Sequence, residues 1–229
     1  MDTQIRNAPR RRRYRKRRRA ELEAETRRRI TEAAMRLHGT VGPARTTVKA
    51  IAEEAGVQRA TVYRHFPDEE GLFLACSAHW ASLNPPPDPA GWKTVGDPGE
   101  RLRLALAELY EWYEWAAPTL EKVLRDAPRV PALQPAMQRF EQQFAVLHET
   151  LMRGRRERGR RRGRVAAAIG HAIAYTTWHS LIREQGLGRS EGIALMDAVV
   201  AAAAEPSSRV ARARGTAGRV RRGRTPARR

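Results

Sequence analysis

The sequence predicts an all-α fold. Apolar residues recur at intervals of three and four along most of the chain, which is the period of amphipathic helices. Sustained alternation rich in Val, Ile and Thr, the pattern typical of strands, is nearly absent. Prolines and glycines cluster between the periodic segments, and they indicate where one helix ends and the next begins.

The net charge of +19 is concentrated at the two ends of the 229-residue chain. Residues 1–19 contain ten Lys/Arg and one acid, for +9, and residues 205–229 contain nine Arg and one acid, for +8, which leaves +2 for residues 20–204. We therefore expect a nearly neutral folded body between a basic disordered arm (1–19) and a basic disordered tail (205–229). Each end is either a solvated segment or a phosphate-binding one.

The cysteine count and the apolar runs predict a cytoplasmic protein that does not enter a membrane. The single cysteine, Cys76, excludes an intramolecular disulfide and fits a reducing compartment. The basic N-terminus is followed by charged residues rather than by an apolar segment, and no run approaches the roughly 18 apolar residues of a membrane span.

Four helices are predicted between residues 20 and 83. The first has an apolar stripe ending at Leu37, and the second begins after a capping Thr46 or Thr47 and stops at Gly56. A third of about two turns follows, and Asp68 opens the fourth, which runs to about Leu83. The stripes that support the first two helices are Ile30, Ala33, Ala34 and Leu37, then Val48, Ile51, Ala52 and Ala55.

The region 84–204 is predicted to be a second helical domain. A proline-rich connector, NPPPDPAGWKTVGDPG, precedes a long helix from Leu102 to Ala116, and we expect a short separate helix after Pro118. A further helix has apolar residues from Leu133 to Leu151, and the basic stretch RGRRERGRRRGR is then expected to be an exposed loop. Two last helices, at about 164–184 and 190–204, are rich in small residues and suit either a subunit interface or packing within one chain.

Residues 47–66, TVKAIAEEAGVQRATVYRHF, have the layout of a helix-turn-helix. Ala52 is small where the two helices cross, and Gly56 can adopt the positive φ that the turn requires. Val57 and Val62 are expected to point inward. The outward face then presents hydrogen-bonding side chains of the types that contact phosphates and base edges, namely Gln58, Arg59, Thr61, Tyr63, Arg64 and His65.

From about Thr26 to Leu83 the sequence resembles the DNA-binding domain of the TetR (tetracycline-repressor-like) family of bacterial regulators. The similarity covers the first helix, the IA..AGV turn, the TVYRHF recognition helix and the leucine of helix four. Beyond this segment the resemblance is one of helical architecture and length. It implies a homodimer that binds a palindromic operator in double-stranded DNA and a C-terminal domain that binds a small-molecule effector.

The resemblance also assigns roles to individual residues in and near the recognition helix. Arg59, Ala60 and Tyr63 would face bases, and Thr61, Tyr63, His65 and Thr47 would lie near phosphates. Arg59 can grip guanine bidentately, although a phosphate contact is the alternative. Two positions depart from the family pattern, since Glu69 stands where a lysine is common and Gln58 where a serine is frequent. A carboxylate at position 69 cannot hold a phosphate. This phosphate contact is therefore lost unless the backbone amides at the start of the helix replace it.

No catalytic motif is discernible in the sequence, so we expect a protein that is not an enzyme and that needs no cofactor or metal. Cys76 and His79 lie one turn apart, but a single pair supplies too few ligands to hold a metal. Aromatic and histidine side chains on the helices of the second domain are either core residues or the lining of a ligand pocket. These are Trp112, Tyr113, Phe144, His148, His171, Tyr175 and Trp178.

The sequence therefore predicts a dimeric, DNA-binding transcriptional regulator, in the form of a repressor released by a small molecule. One rival is a nonspecific nucleic-acid-binding protein that acts through its arginine-rich arms. A second rival is a helical ligand-binding protein that no longer reads DNA. A high ratio of affinity for an operator over random DNA would distinguish a regulator from the first rival. The absence of any footprint would favour the second.

Overall fold

The computed structural model describes residues 8–206, and within that range it contains ten α-helices and no strand, which confirms the all-α prediction. Short 3-10 turns lie at Pro43–Arg45, Ala127–Arg129 and Pro131–Leu133. The helices are α1 (Ala8–Thr40), α2 (Val48–Ala55), α3 (Arg59–His65), α4 (Glu69–Leu83), α5 (Pro89–Trp92), α6 (Pro98–Asp126), α7 (Gln134–Met152), α8 (Gly159–Ala172), α9 (Tyr175–Trp178) and α10 (Arg189–Ala204).

The chain divides into two compact units that do not follow the predicted boundary at residue 83. The first unit is formed by Met1–Thr94 and Glu108–Thr150, and the second by Val95–Ala107 and Leu151–Arg229. The division into units differs from the predicted boundary because the apolar face of α4 is not covered by the first three helices alone. Phe73 on α4 shares one buried cluster with Leu133 and Ala136, which come much later in the chain.

The core of the first unit is built on the predicted stripes of α1 and α2. Ile30, Ala33 and Ala34 are fully buried, and Ile51 and Ala52 pack in the same cluster. The small alanines let α1 and α2 approach closely, and the larger Ile, Val and Phe side chains fill the space between helices.

The expectation of a disordered arm over residues 1–19 is wrong from Ala8 onward, where α1 already has begun. Arginine and lysine are good helix formers, and arginines of this segment pair one turn ahead with glutamates. Arg17 donates to Glu21 at 2.8 Å and Arg19 to Glu23 at 3.1 Å. Residues 1–7 and the predicted tail beyond Pro206 lie outside the described residues.

Three predicted breaks also differ in the structure. Pro118 does not start a separate helix, because α6 continues through it from Pro98 to Asp126. The basic loop is shorter than expected, since α8 begins at Gly159. The helix predicted at 164–184 is divided into α8, α9 and a π-helical turn at His179–Glu184.

The second unit pairs α8 with α10, and the predicted last helix at 190–204 is confirmed as α10. A buried arginine, Arg101, organises the start of α6 in this unit by donating to the carbonyls of Val95 and Arg153 at 2.6 Å each. Bonds from one guanidinium to several carbonyls satisfy its donors where water is excluded. Among the described residues, no helix is both long and apolar enough to span a membrane.

Candidate nucleic-acid interface and internal cavity

The helix-turn-helix forms as predicted, with α2 and α3 joined by a tight turn. Thr47 caps α2, and its hydroxyl oxygen accepts a hydrogen bond from the amide of Ala50 at 3.1 Å. Gly56 has a φ of +63°, the left-handed conformation that favours glycine. The amide of Val57 then donates to the carbonyl of Ala52 at 2.9 Å, which closes the turn and directs the chain into α3.

Two arginines of α1 form hydrogen bonds with the C-terminal ends of α2 and α3. Arg27 donates to the carbonyl of His65 at 2.5 Å and lies 4.0 Å over the ring of Phe66. Arg29 donates to the carbonyls of Ala55 and Gly56 at the end of α2. Cations are favourable at the negative C-terminal ends of helices, so α1 sets the orientation of both helices. Sequence reasoning missed these two residues, because a basic residue on α1 looks the same whether it is solvated or bonded.

Most of the predicted reading residues belong to the exposed face of α3, and Thr47 lies at the start of α2. Val62 is 1% exposed and anchors α3, whereas Tyr63 is 50% exposed. Thr61 and His65 are half-buried, and the remaining predicted contacts are exposed, namely Thr47, Gln58, Arg59, Ala60 and Arg64. Within the described part of the chain, neither Arg59 nor Arg64 has an acidic partner. This face therefore offers two unpaired guanidiniums and several hydrogen-bonding groups to a polyanion.

His65 is neutral on this surface at neutral pH. Partial burial, followed by the nearby charges of Arg64 and Arg27, lowers the pKa of its imidazole. Its Nε2 atom has no hydrogen-bond partner among the described residues. Because this Nε2 atom is buried, it is not presented at the surface, and the neutral imidazole adds no positive charge there.

The start of α4 does not compensate for the missing lysine at position 69. Glu69 is exposed, and the carboxylate of Asp68 accepts the hydrogen bond of the Gly71 amide at 2.7 Å. That amide is already bonded, and the surrounding charge is negative. This end of α4 is consequently a poor place for a phosphate.

A cavity of about 500 Å³ lies within the first unit, between α1, α4, α6 and the start of α7. Its wall is mainly apolar and aromatic, with a few polar groups that include His38, Arg139 and Gln143. The apolar and aromatic lining includes Met35, Phe73, Leu74, Trp80, Trp112, Leu120, Val123, Leu133, Met137 and Phe140. A space of this size and composition is typical of a small-molecule site.

Of the seven predicted pocket residues, Trp112 lines this cavity. Tyr113 is buried, and Phe144 stacks on it at 6.4 Å between ring centroids, while His148 is half-buried on α7. The other three belong to the second unit, where Tyr175 contacts Trp178 at 5.4 Å and His171 lies 3.2 Å from the hydroxyl of Thr177. These three residues are not among those lining the cavity.

The lining residues that sequence reasoning missed come from α1, α4, α6 and the region around the start of α7. Phe73, Cys76 and Trp80 repeat at helical spacing on α4, and this stripe was the available signal. Cys76 does not pair with His79. Its sulfur lies 3.3 Å from Nδ1 of His38, and burial raises the pKa of the thiol to about 12. The thiol is therefore protonated and unreactive.

The cavity wall is also connected to the loop before the helix-turn-helix. Asp126, at the end of α6, is buried and accepts the hydrogen bond of the Ala44 amide at 3.0 Å. The adjacent Arg125 guanidinium lowers the pKa of the Asp126 carboxyl. Gly42 packs directly against this carboxylate with a φ of +94°, where a side chain would collide.

An exposed, basic helix that follows a glycine turn has the geometry of a helix-turn-helix. Residues 30–76 match the family model of bacterial regulatory proteins of the tetR family.

Known proteins are similar to this chain either in the sequence of this segment or in fold. The chain is 42% identical over 57 residues to YvkB, an HTH-type transcriptional regulator of Bacillus subtilis, which covers 25% of this chain and 30% of that relative. A protein from Mesorhizobium loti assigned to the TetR family has a TM-score of 0.56 at 22% identity, with 79% of this chain and 96% of that chain covered. A tetR-family regulator from Streptomyces coelicolor has a TM-score of 0.55 at 19% identity, with 79% and 80% covered.

Proposed function

We propose that this protein is a sequence-specific transcriptional regulator that inserts α3 into the major groove of an operator. The observation that carries the proposal is the outward face of α3, where Arg59, Tyr63 and Arg64 project from a helix anchored by the buried Val62. Arg59 stands at the first position of α3, and the N-terminal residues of a recognition helix are the ones that reach base edges. Because its target is chromosomal DNA, we place the protein in the cytoplasm.

Footprinting of genomic fragments with the purified protein tests this function and identifies the operator. Arg59→Ala should then relax preference at one base-pair position, with a loss of about 1 to 3 kcal/mol for that base. Tyr63→Phe should weaken binding evenly across operator variants, because its hydroxyl serves a phosphate. Arg156→Ala, at an exposed position between α7 and α8, is the matched control and should bind as the wild type does.

An even loss across all operator variants for Arg59→Ala would contradict base reading by this residue. Both reading-face variants should keep the thermal stability of the wild type within the small range expected for surface substitutions, about 0.5 kcal/mol. A larger loss of stability would mean that these side chains belong to the core.

We further propose that the protein acts as a homodimer through α8 and α10. Leu195 and Val199 on α10 are 42% and 40% exposed, and alanines adjoin them on the same helix. Small and apolar residues on an exposed helix pair suit close helix packing with a second copy, and a two-fold dimer requires a palindromic site. Val199→Arg and Ala203→Arg should give monomers that bind operator weakly. Light scattering that still reports a dimer for both variants would move the interface elsewhere.

The effector is proposed to be a small, largely apolar molecule that occupies the cavity and shifts the protein away from its DNA-binding state. The support is the aromatic wall and the bond from the Ala44 amide to Asp126, which joins that wall to the loop before α2. A ligand acts in this way when it binds one of two states more tightly. The resulting activity is that of a repressor released by its effector.

A fluorescent apolar probe, 1-anilinonaphthalene-8-sulfonate, tests the cavity. Ala136 lines it, so Ala136→Phe should reduce probe binding at least tenfold, whereas Ala90→Phe at an exposed site should not. Equal binding by both variants would place the probe elsewhere. Asp126→Asn should leave probe binding intact but reduce the effect of the probe on DNA affinity.

The alternative of a nonspecific nucleic-acid-binding protein is favoured by the charge at the two ends of the chain. It predicts nearly equal affinity for every duplex. A regulator should instead retain a specificity ratio of about 10³ or more over random DNA at physiological salt. A protein that leaves no footprint on any genomic fragment would fit the ligand-binding alternative.

A further inference from the structure

We propose that the N-terminal part of α1, residues 12–19, is a second DNA-contacting element, a basic helix that binds the phosphate backbone beside the region covered by α3. The proposal rests on the DNA-binding function above and adds a surface to it. This segment is the continuation of the helix that fastens α2 and α3, so it is attached to the reading head rather than separated from it by a linker.

The arginines of α1 fall into two groups according to their partners. From Arg17 onward, all but one have a protein partner: Arg17, Arg19, Arg28 and Arg36 pair with glutamates, and Arg27 and Arg29 bond to backbone carbonyls. Arg18 is the exception. Together with Arg12, Arg13, Arg15 and Lys16 it is exposed, and none of these five has an acidic partner within residues 12–206.

The five unpaired cations disfavour the helix in which they lie. Like charges repeat at intervals of three and four, and the first turn of α1 contains no acid that would complement the helix dipole. A polyanion laid along this segment removes the repulsion, so DNA binding and helix stability should reinforce each other. The charge is therefore complementary to a duplex, whose phosphates carry one negative charge per 3.4 Å on each strand.

The position and length of the segment suit phosphates outside the contacted bases. Arg27 touches the carbonyl at the end of α3, and the 15 residues from Arg27 back to Arg12 extend about 22 Å along the helix axis. That distance corresponds to roughly six base pairs at about 3.4 Å each. A membrane surface is a poorer partner, because Tyr14 and Ala20 are the only nonpolar or aromatic residues between 12 and 21.

The experiment is a salt titration of binding to a 40-base-pair duplex of mixed sequence, since backbone contacts do not depend on the operator. The test variant replaces Arg12, Arg13, Arg15, Lys16 and Arg18 by Gln, which keeps helix propensity and removes five charges. The control variant replaces five exposed basic residues outside α8 and α10 by Gln and so has the same net charge; these are Lys93, Arg129, Arg153, Arg156 and Arg158.

If all five cations contact phosphates, the slope of log affinity against log salt should become shallower by about 4.5 per chain, at about 0.9 per contact. Between 50 and 200 mM salt this corresponds to about 500-fold less salt-induced loss of affinity than for the wild type. The control should retain the wild-type slope. A slope change of less than about 0.9 relative to the control overturns the proposal.

Hydrogen exchange provides a second readout. Amides of residues 12–22 should exchange more slowly when the 40-base-pair duplex is added to the wild type, and this protection should be lost in the test variant. Unchanged exchange in the wild type contradicts the proposal. So does a test variant that loses affinity for phosphatidylglycerol vesicles while its DNA slope is unchanged. If the wild type shows no preference among genomic fragments, the regulator function fails, whereas the salt slopes still decide the role of the basic helix.

Discussion

The outer face of α3 and the wall of the cavity lie in the same unit but are organised differently. The face of α3 comes from one continuous segment, and a single buried residue, Val62, orients it. The cavity wall is assembled from α1, α4, α6 and α7, whose lining residues are separated by up to about a hundred positions. The comparison shows that an exposed helix face can be specified locally, whereas an internal cavity depends on how distant helices pack.

The largest expected effect is a difference in stability between two leucine-to-alanine variants of α6, one in the packed core and one in the cavity wall. Leu109 is fully buried and does not line the cavity, whereas Leu120 is 5% exposed and does. Leu109→Ala should lower the free energy of unfolding by about 4 kcal/mol, and Leu120→Ala by about 2 kcal/mol, because a side chain beside a space has fewer contacts to lose. Urea denaturation of the two variants measures the difference. Equal losses would mean that the wall of the cavity is as closely packed as the core.

A second prediction concerns the pH dependence that the cavity wall introduces. His38 stacks on Phe73 at 4.8 Å, and burial lowers the pKa of its imidazole from 6.5 to about 4. As pH falls from 6.5 to 4, the unfolded state binds the proton and the folded state does not, so stability is lost in this range, by about 3 kcal/mol. Above pH 6.5 the contribution is constant.

Denaturation of wild type and His38→Gln at pH 7.5 and 4.5 measures this contribution. Carboxylates also titrate near pH 4, but they do so equally in both proteins. The wild type should therefore lose more stability than the variant, and identical losses would show that His38 is protonated in the folded state.

The smallest effect concerns the turn beneath the reading face. Gly56→Ala places a Cβ on a residue with a φ of +63° and at 3.0 Å from the guanidinium of Arg29. It should cost about 1 to 2 kcal/mol and weaken DNA binding, because the orientation of α3 depends on this turn. Gly163→Ala is the control, since it lies within α8 with no atom near its Cβ position and should increase stability by about 0.5 to 1 kcal/mol. If both variants were stabilised, Gly56 would not be needed for its conformation.

The sequence alone predicted the helix-turn-helix because each of its features acts within a few residues. The cap at Thr47, the turn at Gly56 and the inward Val62 depend on neighbours one or two turns away. The α4 helix from Asp68 to Leu83 was predicted for the same reason.

The sequence could not locate the cavity, because no local pattern tells an apolar side chain beside a space from one in a packed core. Phe73, Trp80 and Leu120 have the same helical periodicity as true core residues. Local rules also misled in two places. Pro118 was expected to end a helix, but packing carries α6 through it, and the basic charge before residue 19 was taken to exclude a helix.

The bond between Ala44 and Asp126 joins residues 82 positions apart, and the core around Phe73 is completed by Leu133 and Ala136. A fragment ending at Leu83 would therefore expose part of the core that supports the reading helix. The helix-turn-helix is recognisable as a separate segment in the sequence, but in the structure its core depends on residues from α6 and α7. A chimaera that transfers this helix-turn-helix to another protein must therefore include the end of α6 and the start of α7. Otherwise, the surface that they cover must be redesigned.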